Sequence, residues 1–275
     1  MTATVTLRPK YVFKVPVEAD GISPDAFAGK SLDEISKLPV WEGNKQRTLA
    51  DLFEIEGETV EKPEDLSIHV EGDVHKVRRI GSKMSAGEIM INRDIGTHLG
   101  EEMKGGRITV GGNAGSWMGA MMKGGSIEVK GNAGDYVGAA YRGMVKGMRG
   151  GVITIHGSAG NELGCFMKKG LIKVNGGVAQ FAGVHMKDGA IWIMGDSKAR
   201  VGAEMTGGKI VVCGKVEEIL PTFATDSVKA KVKVEGQEVA GPFYLFVGDL
   251  TEQGDGKLYV AKSANSHLKF YEGFL

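Results

Sequence analysis

The chain has 275 residues with 34 Lys+Arg against 34 Asp+Glu, a formal net charge of zero. That balance gives no field for nucleic acid or an anionic membrane. No run approaches the ~20 apolar residues of a membrane span, and the N-terminus has no apolar signal core.

Residues 1–64 read as an arm. Five of the seven prolines lie there: Pro9, Pro16, Pro24, Pro39 and Pro63. Val5 to Val17 reads as extended. Ser31-Leu-Asp-Glu34 is a capping box, predicting a short helix through Leu38 that Pro39 stops. Thr48-x-x-Asp51 predicts a second, carrying Leu49, Leu52 and Phe53.

From there a frame repeats, with starts at Gly81, Gly100, Gly119, Gly138, Gly164, Gly183 and Gly202. Five steps are 19 residues and one is 26. Three places after each start stands Met84, Met103, Met122, Met148 (past the longer step), Met167, Met186 or Met205. Pairs such as Ile108-x-Val110, Ile127-x-Val129 and Ile172-x-Val174 follow. Their period is two, so they are strands. Glycine brackets each one, where it can turn a corner with positive φ. A fixed period of this size marks a solenoid, whose units bury their apolar faces only on one another. The expectation is an all-β right-handed parallel β-helix of about seven 19-residue coils, over residues 65–214. A left-handed hexapeptide helix fits less well, because the aliphatic–small pair occurs once per coil, as at Leu99-Gly100 and Val201-Gly202. The 43 glycines are about twice the usual share and do not fall every third residue, so collagen is excluded.

Residues 215–275 read as a β-rich cap over the rod's open end. Val228 to Val239 predicts a hairpin turning near Glu235-Gly236; Phe243, Leu245, Val247, Leu258 and Val260 predict further strands. Arm, coils and cap form one folding unit.

Traces of catalysis are few. The six histidines form no pair at metal-ligand spacing, and Cys165 and Cys213 lack the number and spacing of a cluster. No catalytic, cofactor-binding or metal-ligating residue is assigned. Gly111-Gly112-Asn113-Ala114-Gly115 and Gly131-Asn132-Ala133-Gly134 imitate phosphate loops, but recur at one place in every coil and precede no helix. They read as corner glycines with stacked Asn. The two cysteines sit in different columns, so no disulfide is expected, and a cytoplasmic location follows as the simplest reading.

Departures from the frame point to partners instead. The longer step holds seven extra residues, Tyr141 to Gly147, and a solenoid insertion is a loop often used for binding. Its Tyr141, Arg142 and Met144 are interface-type residues. On the strands, the outward places are mainly polar or small in the middle coils. They become Trp192 and Met194, then Val211 and Cys213, in the last two. Tyr141, Arg142, Met144, Trp192, Met194 and Val211 are the candidate partner interface. Whether the Trp192 patch meets another chain or this chain's own cap stays open.

Several stretches resemble the C subunit of formylmethanofuran dehydrogenase. They are coils Gly100–Met118 and Gly119–Val137, the insert's Tyr-Arg-Gly with Gly-Met-Arg-Gly-Gly, Asp25 to Ile35, Ser67 to Val74, and Gly241 to Tyr244. The resemblance spans nearly the whole chain. It implies a multisubunit enzyme of methanogens that reduces CO2 to formate at a molybdenum or tungsten pterin. Formate then condenses with methanofuran at a dinuclear zinc site in an amidohydrolase-like subunit, and iron–sulfur subunits supply electrons. This chain holds ligands for none of these groups, so the resemblance implies a structural subunit that positions the amidohydrolase-like and pterin-binding subunits. Two alternatives share the β-helix. One is the C subunit of a redox-free formyltransferase/hydrolase complex; the other is a stand-alone glutamate synthase β-helix. The long arm of residues 1–64 favours the dehydrogenase and the formyltransferase/hydrolase subunits over the glutamate synthase β-helix.

Overall fold

The fold is given by a computed structural model, which describes residues 3–275. Met1 and Thr2, which open the predicted arm, lie outside the described residues. In chain order the elements are β1 (Ala3–Pro9), β2 (Val17–Glu18), α1 (Pro24–Phe27), α2 (Leu32–Ser36), β3 (Pro39–Glu42), β4 (Lys45–Thr48), α3 (Leu49–Leu52) and β5 (Phe53–Gly57). Then come β6 (Leu66–Val70), β7 (Val77–Arg78), β8 (Glu88–Ile91), β9 (Arg107–Val110), β10 (Ser126–Val129), β11 (Arg149–Ile155), β12 (Lys169–Val174), β13 (Ala190–Ile193) and β14 (Lys209–Val212). The last are β15 (Ala224–Val234), β16 (Gln237–Gly248) and β17 (Gly256–Ala261). No helix of the described residues is long and apolar enough to cross a membrane.

The protein is mostly β, and its organising element is a large, mainly parallel, open sheet. Its order is β15-β16-β17-β14-β13-β12-β11-β10-β9-β8-β6-β1-β5. Identical places of the repeat are paired: Ile89 with Ile108, Ile108 with Ile127, Ile127 with Ile153, Ile153 with Ile172, Ile172 with Ile191, and Ile191 with Ile210. Two further ladders run beside the sheet. One is the parallel bridge series Val74–Ile95–Ala114–Ala133, continued by Ala159–Val178–Ser197–Val216. The other lies at the corner, where Gly119 N–H donates to Leu99 O at 2.8 Å and Gly138 N–H to Met118 O at 2.9 Å. Each repeat is therefore hydrogen-bonded to the next on several sides, which satisfies backbone groups that burial would otherwise orphan.

All seven column methionines are fully buried, as are the paired Ile108, Val110, Ile153 and Val174. Each such side chain contributes roughly 1.5–3 kcal/mol by burial. Gly119 shows why the corner needs glycine. Its φ is +62°, and a Cβ there would sit 2.5 Å from Ile153 Cδ1. The Asn–Gly corners are a side-chain ladder: Asn113 N–H donates to Asp94 Oδ1 at 2.7 Å, Asn132 N–H to Asn113 Oδ1 at 2.8 Å, and Ser158 N–H to Asn132 Oδ1 at 2.8 Å.

At the N-terminal side, β1 pairs in parallel with β6 and antiparallel with β5. The stretch from Val5 to Val17 is not extended throughout: β1 stops at Pro9, and Lys10 to Pro16 bend before β2. Both capping boxes form, on Ser31–Glu34 and Thr48–Asp51, and each opens one short turn of helix. The first ends at Ser36, two residues short of the predicted Leu38. At the C-terminal side the hairpin turns where expected, Val234 pairing with Gln237. It is much longer than predicted: Phe243, Leu245 and Val247 belong to its second strand rather than to separate ones. Through β16 and β17 it joins β14, so the parallel stack ends on paired strands. Asn265, fully buried, bonds Gly214 O at 2.9 Å and Val216 N–H at 2.8 Å, tying the C-terminal segment to the last repeat.

Candidate partner interface

The repeat places two columns of non-glycine residues in the left-handed region, two residues before each corner glycine and two after every one but Gly138. The leading column is Arg79, His98, Trp117, Tyr136, Glu162, Phe181 and Arg200, with φ from 54° to 65°. The trailing one includes Met121, Phe166, His185 and Glu204, at 53° to 57°. This conformation costs an L-residue roughly 1–2 kcal/mol. Cross-repeat bonds hold it: Trp117 N–H donates to Asp135 O, and Tyr136 N–H to Asn161 O, both at 2.8 Å. Side chains in these columns stand along one edge at the repeat spacing, so rings stack. Trp117 and Tyr136 lie 4.3 Å apart and 13° from parallel; Phe166 and His185 lie 4.3 Å apart at 9°. The Arg200 guanidinium sits 5.3 Å over the Phe181 ring.

The insert emerges along this edge. Ala140 N–H donates to Cys165 O at 3.1 Å, its proper place in the frame, and Met148 N–H donates to Gly138 O at 2.8 Å, as Met122 N–H does to Gly119 O at 3.0 Å. Residues 141–147 are thus a loop added to an intact repeat. Tyr141 folds back over Trp117, ring centroids 4.8 Å apart, and its hydroxyl donates to Glu101 Oε1 at 2.6 Å. Glu101 is buried and paired with Arg79, which also reaches Glu18 of β2 at 3.2 Å. Burial and the Glu101 carboxylate push the Tyr141 phenol well above its ordinary value, and burial pushes the His98 imidazole down. Arg142 and Met144 are exposed. Loop and columns together enclose a cleft of about 300 Å³, walled by Trp117, Tyr136, Tyr141, Phe166 and Phe181, with Glu162, Glu204 and His185 among its polar groups. Cys165 lines it, buried, and burial pushes its thiol up to about 12, which disfavours the thiolate.

The six residues singled out in the sequence fall into separate places. Tyr141, Arg142 and Met144 line the cleft. Trp192 and Val211 do not join them. At 8% and 0% exposed they are covered by the chain's own hairpin, packed with Val232, Val234 and Phe243. The Lys173 ammonium lies 4.3 Å from the Trp192 ring centroid. An apolar pair on the outer face of a sheet is explained here by a strand pair folding over it, and neither residue keeps surface for another chain. Met194, 45% exposed, stands beyond the hairpin's cover. The sequence reading missed Trp117, Tyr136, Phe166 and Phe181. Their signal was present in the same frame, two places either side of each start glycine.

Among the described residues no group of three or more His, Cys, Asp or Glu is placed to hold a metal ion. His156 is spent on Glu128, at 2.8 Å, and both cysteines are unpaired. Two cysteines and no such group leave no donor set for an iron–sulfur cluster or a zinc pair among the described residues.

A repeat-built, mostly β chain with a mainly parallel sheet and an aromatic-lined edge is the class these observations define. No protein-family model matches the chain. It is 50% identical over 266 residues to the C subunit of tungsten-containing formylmethanofuran dehydrogenase 2 of Methanothermobacter thermautotrophicus, covering 96% of this chain and 98% of that one. It is 52% identical to the like-named protein of Methanococcus maripaludis, covering 92% and 95%. With that of Methanothermobacter wolfeii it aligns over 95 residues at 46% identity, 34% of this chain and 35% of that protein. The chain belongs to the family of formylmethanofuran dehydrogenase C subunits. Among solved structures it is similar to a chain of the formyltransferase/hydrolase complex FhcABCD from Methylorubrum extorquens, determined with methylofuran, at a TM-score of 0.80 and 30% identity. That match covers 93% of this chain and 99% of that one.

Proposed function

We propose that this chain is the non-catalytic, structural C subunit of a formylmethanofuran dehydrogenase, which reduces CO2 and attaches it to methanofuran. The observation that carries this is kinship at about half identity along nearly the full length of proteins bearing that name. In this reading the ladders are the walls of a right-handed β-helix, with residues 1–64 as its arm, 65–214 as its coils and 215–275 as its cap. Shape, rather than chemistry, is what the chain supplies. Molybdenum or tungsten pterin, iron–sulfur clusters and zinc belong to partner subunits: pterin-binding, iron–sulfur and amidohydrolase-like. The complex works in the cytoplasm, consistent with two free thiols. Tyr141, Arg142, Met144 and Met194 face partners, whereas Trp192 and Val211 anchor the cap.

The likeness to a chain of FhcABCD keeps a second reading in view, the C subunit of a redox-free formyltransferase/hydrolase. Purification through a tag on this chain separates the two. Copurifying subunits with molybdenum or tungsten and iron are expected. Recovery of a complex without those metals selects the second reading, and recovery with glutamate synthase subunits overturns both. The tagged chain stripped of partners should hold no stoichiometric metal after desalting; one zinc or iron per chain would defeat the structural role.

A further inference from the structure

The leading column contains an interruption. Tyr136, Glu162 and Phe181 occupy it in three successive repeats, so one carboxylate stands in the column between two rings. At roughly 4.8 Å per repeat the rings are about 9.6 Å apart. A flat cation between two rings needs about 7–8 Å, counting one van der Waals contact on each side. Tyr136 has its other face on Trp117, and Phe181 has Arg200 nearby, so the stack is preformed on both flanks. All three residues line the cleft and are half-buried. The Glu162 side chain has no ion-pair or hydrogen-bond partner among the described residues. Arg142, at the rim, is paired with no carboxylate there either, so the insert does not neutralise the slot. Glu204 adds a second carboxylate, held 3.3 Å from His185 Nδ1.

We propose that the slot between Tyr136 and Phe181 receives a guanidinium side chain from a partner protein, with Glu162 as its counter-ion. Three properties favour arginine. The ring faces attract a cation, a guanidinium is planar and stacks, and its fork suits a carboxylate. The chain already uses this pairing once, with Arg200 over Phe181. An anionic or purely apolar insertion would leave Glu162 repelled or desolvated without a partner. The inference rests on the reading that the insert edge docks a partner.

The full chain, labelled with 15N, can be titrated with Nα-acetyl-arginine amide, with the citrulline amide as its neutral isostere, and with leucine and glutamate amides. Saturable shifts at Tyr136, Glu162 and Phe181 are expected for the arginine probe, in the millimolar range, and roughly tenfold weaker for citrulline. Glu162→Gln should remove that preference, and Phe181→Leu should weaken binding while circular dichroism stays unchanged. Equal binding of arginine and citrulline, tightest binding of the leucine or glutamate probe, or no localised shift overturns the proposal. The outcome is independent of assembly: arginine binding in a chain that recovers no partner subunits would leave the slot standing and remove the docking reading.

Discussion

Tyr141 joins three parts of the chain that are far apart in sequence. Its hydroxyl closes a relay of Glu101, Arg79 and Glu18, running from insert to arm. Tyr141→Phe keeps the ring on Trp117 but removes a bond to a buried carboxylate. It should cost about 1 kcal/mol, read as a lower denaturant midpoint, and raise amide exchange in residues 142–146 without unfolding the repeats. The phenols also set an alkaline limit. Tyr244 is buried and donates to Glu272 at 2.8 Å, and burial pushes it up to about 12. Tyr141 is raised as well. In the unfolded chain both ionise near ~10. The folded state therefore holds protons that the unfolded state releases, so stability is complete below about pH 10 and falls as pH climbs toward 12. Urea midpoints at about pH 8 and about pH 11 should differ, and the difference should shrink in Tyr244→Phe. A midpoint that does not move, or that rises, would mean the phenols are solvated. The places of the corner columns were legible in the frame, two residues either side of each start glycine, but the contacts they make were not. The corner columns mix Arg, His, Trp, Tyr, Glu and Phe, so they show no single residue type; what unites them is a backbone region that sequence does not display.

Elements were more legible than contacts between them. The Ile-x-Val pairs mark the strands because alternation is local. The hairpin's turn is local too, at Glu235-Gly236. What the hairpin covers is not, because β15 and β16 join the sheet through β17, which pairs with β14, and from there pack over Trp192 on a strand far away in sequence. Trp192→Asp places a charge under this cover, and should destabilise the isolated chain by about 3 kcal/mol or more, lowering its melting temperature. A normal melt with loss of partners would return Trp192 to an outer surface. The insert predicts the opposite split. Because Ala140 and Met148 keep the frame's hydrogen bonds, excising 141–147 joins two residues already in register. The shortened chain should keep its repeats folded, its melting temperature lowered only by the loss of Tyr141 from Trp117 and Glu101, yet fail to enter the complex on size exclusion. Unchanged assembly would show that the loop is dispensable for docking.

At the scale of the whole molecule, stability is carried by identical places meeting along the stack. Each Ile pairs with an Ile, each column Met is buried among neighbours, and the corner glycine bonds backward to the preceding repeat. Such a stack is nearly a sum of units and nearest-neighbour contacts. Removal of Gly119 to Val137 therefore takes out one 19-residue unit and joins Met118 to Gly138, restoring the spacing of Met and strand columns. Gly138 already donates to Met118 O at 2.9 Å, so the new junction closes on residues that are neighbours in space. The product should be soluble, with the β signature of the parent by circular dichroism. It loses Tyr136, and with it one wall of the guanidinium slot. Removal of ten residues from the same region instead shifts every later column off its partner. Apolar side chains would then meet corners and solvent, and the strand edges so exposed invite aggregation. Equal behaviour of the two deletions would mean that the columns do not carry the fold. A soluble 19-residue deletion beside an aggregated ten-residue one is the expected pair.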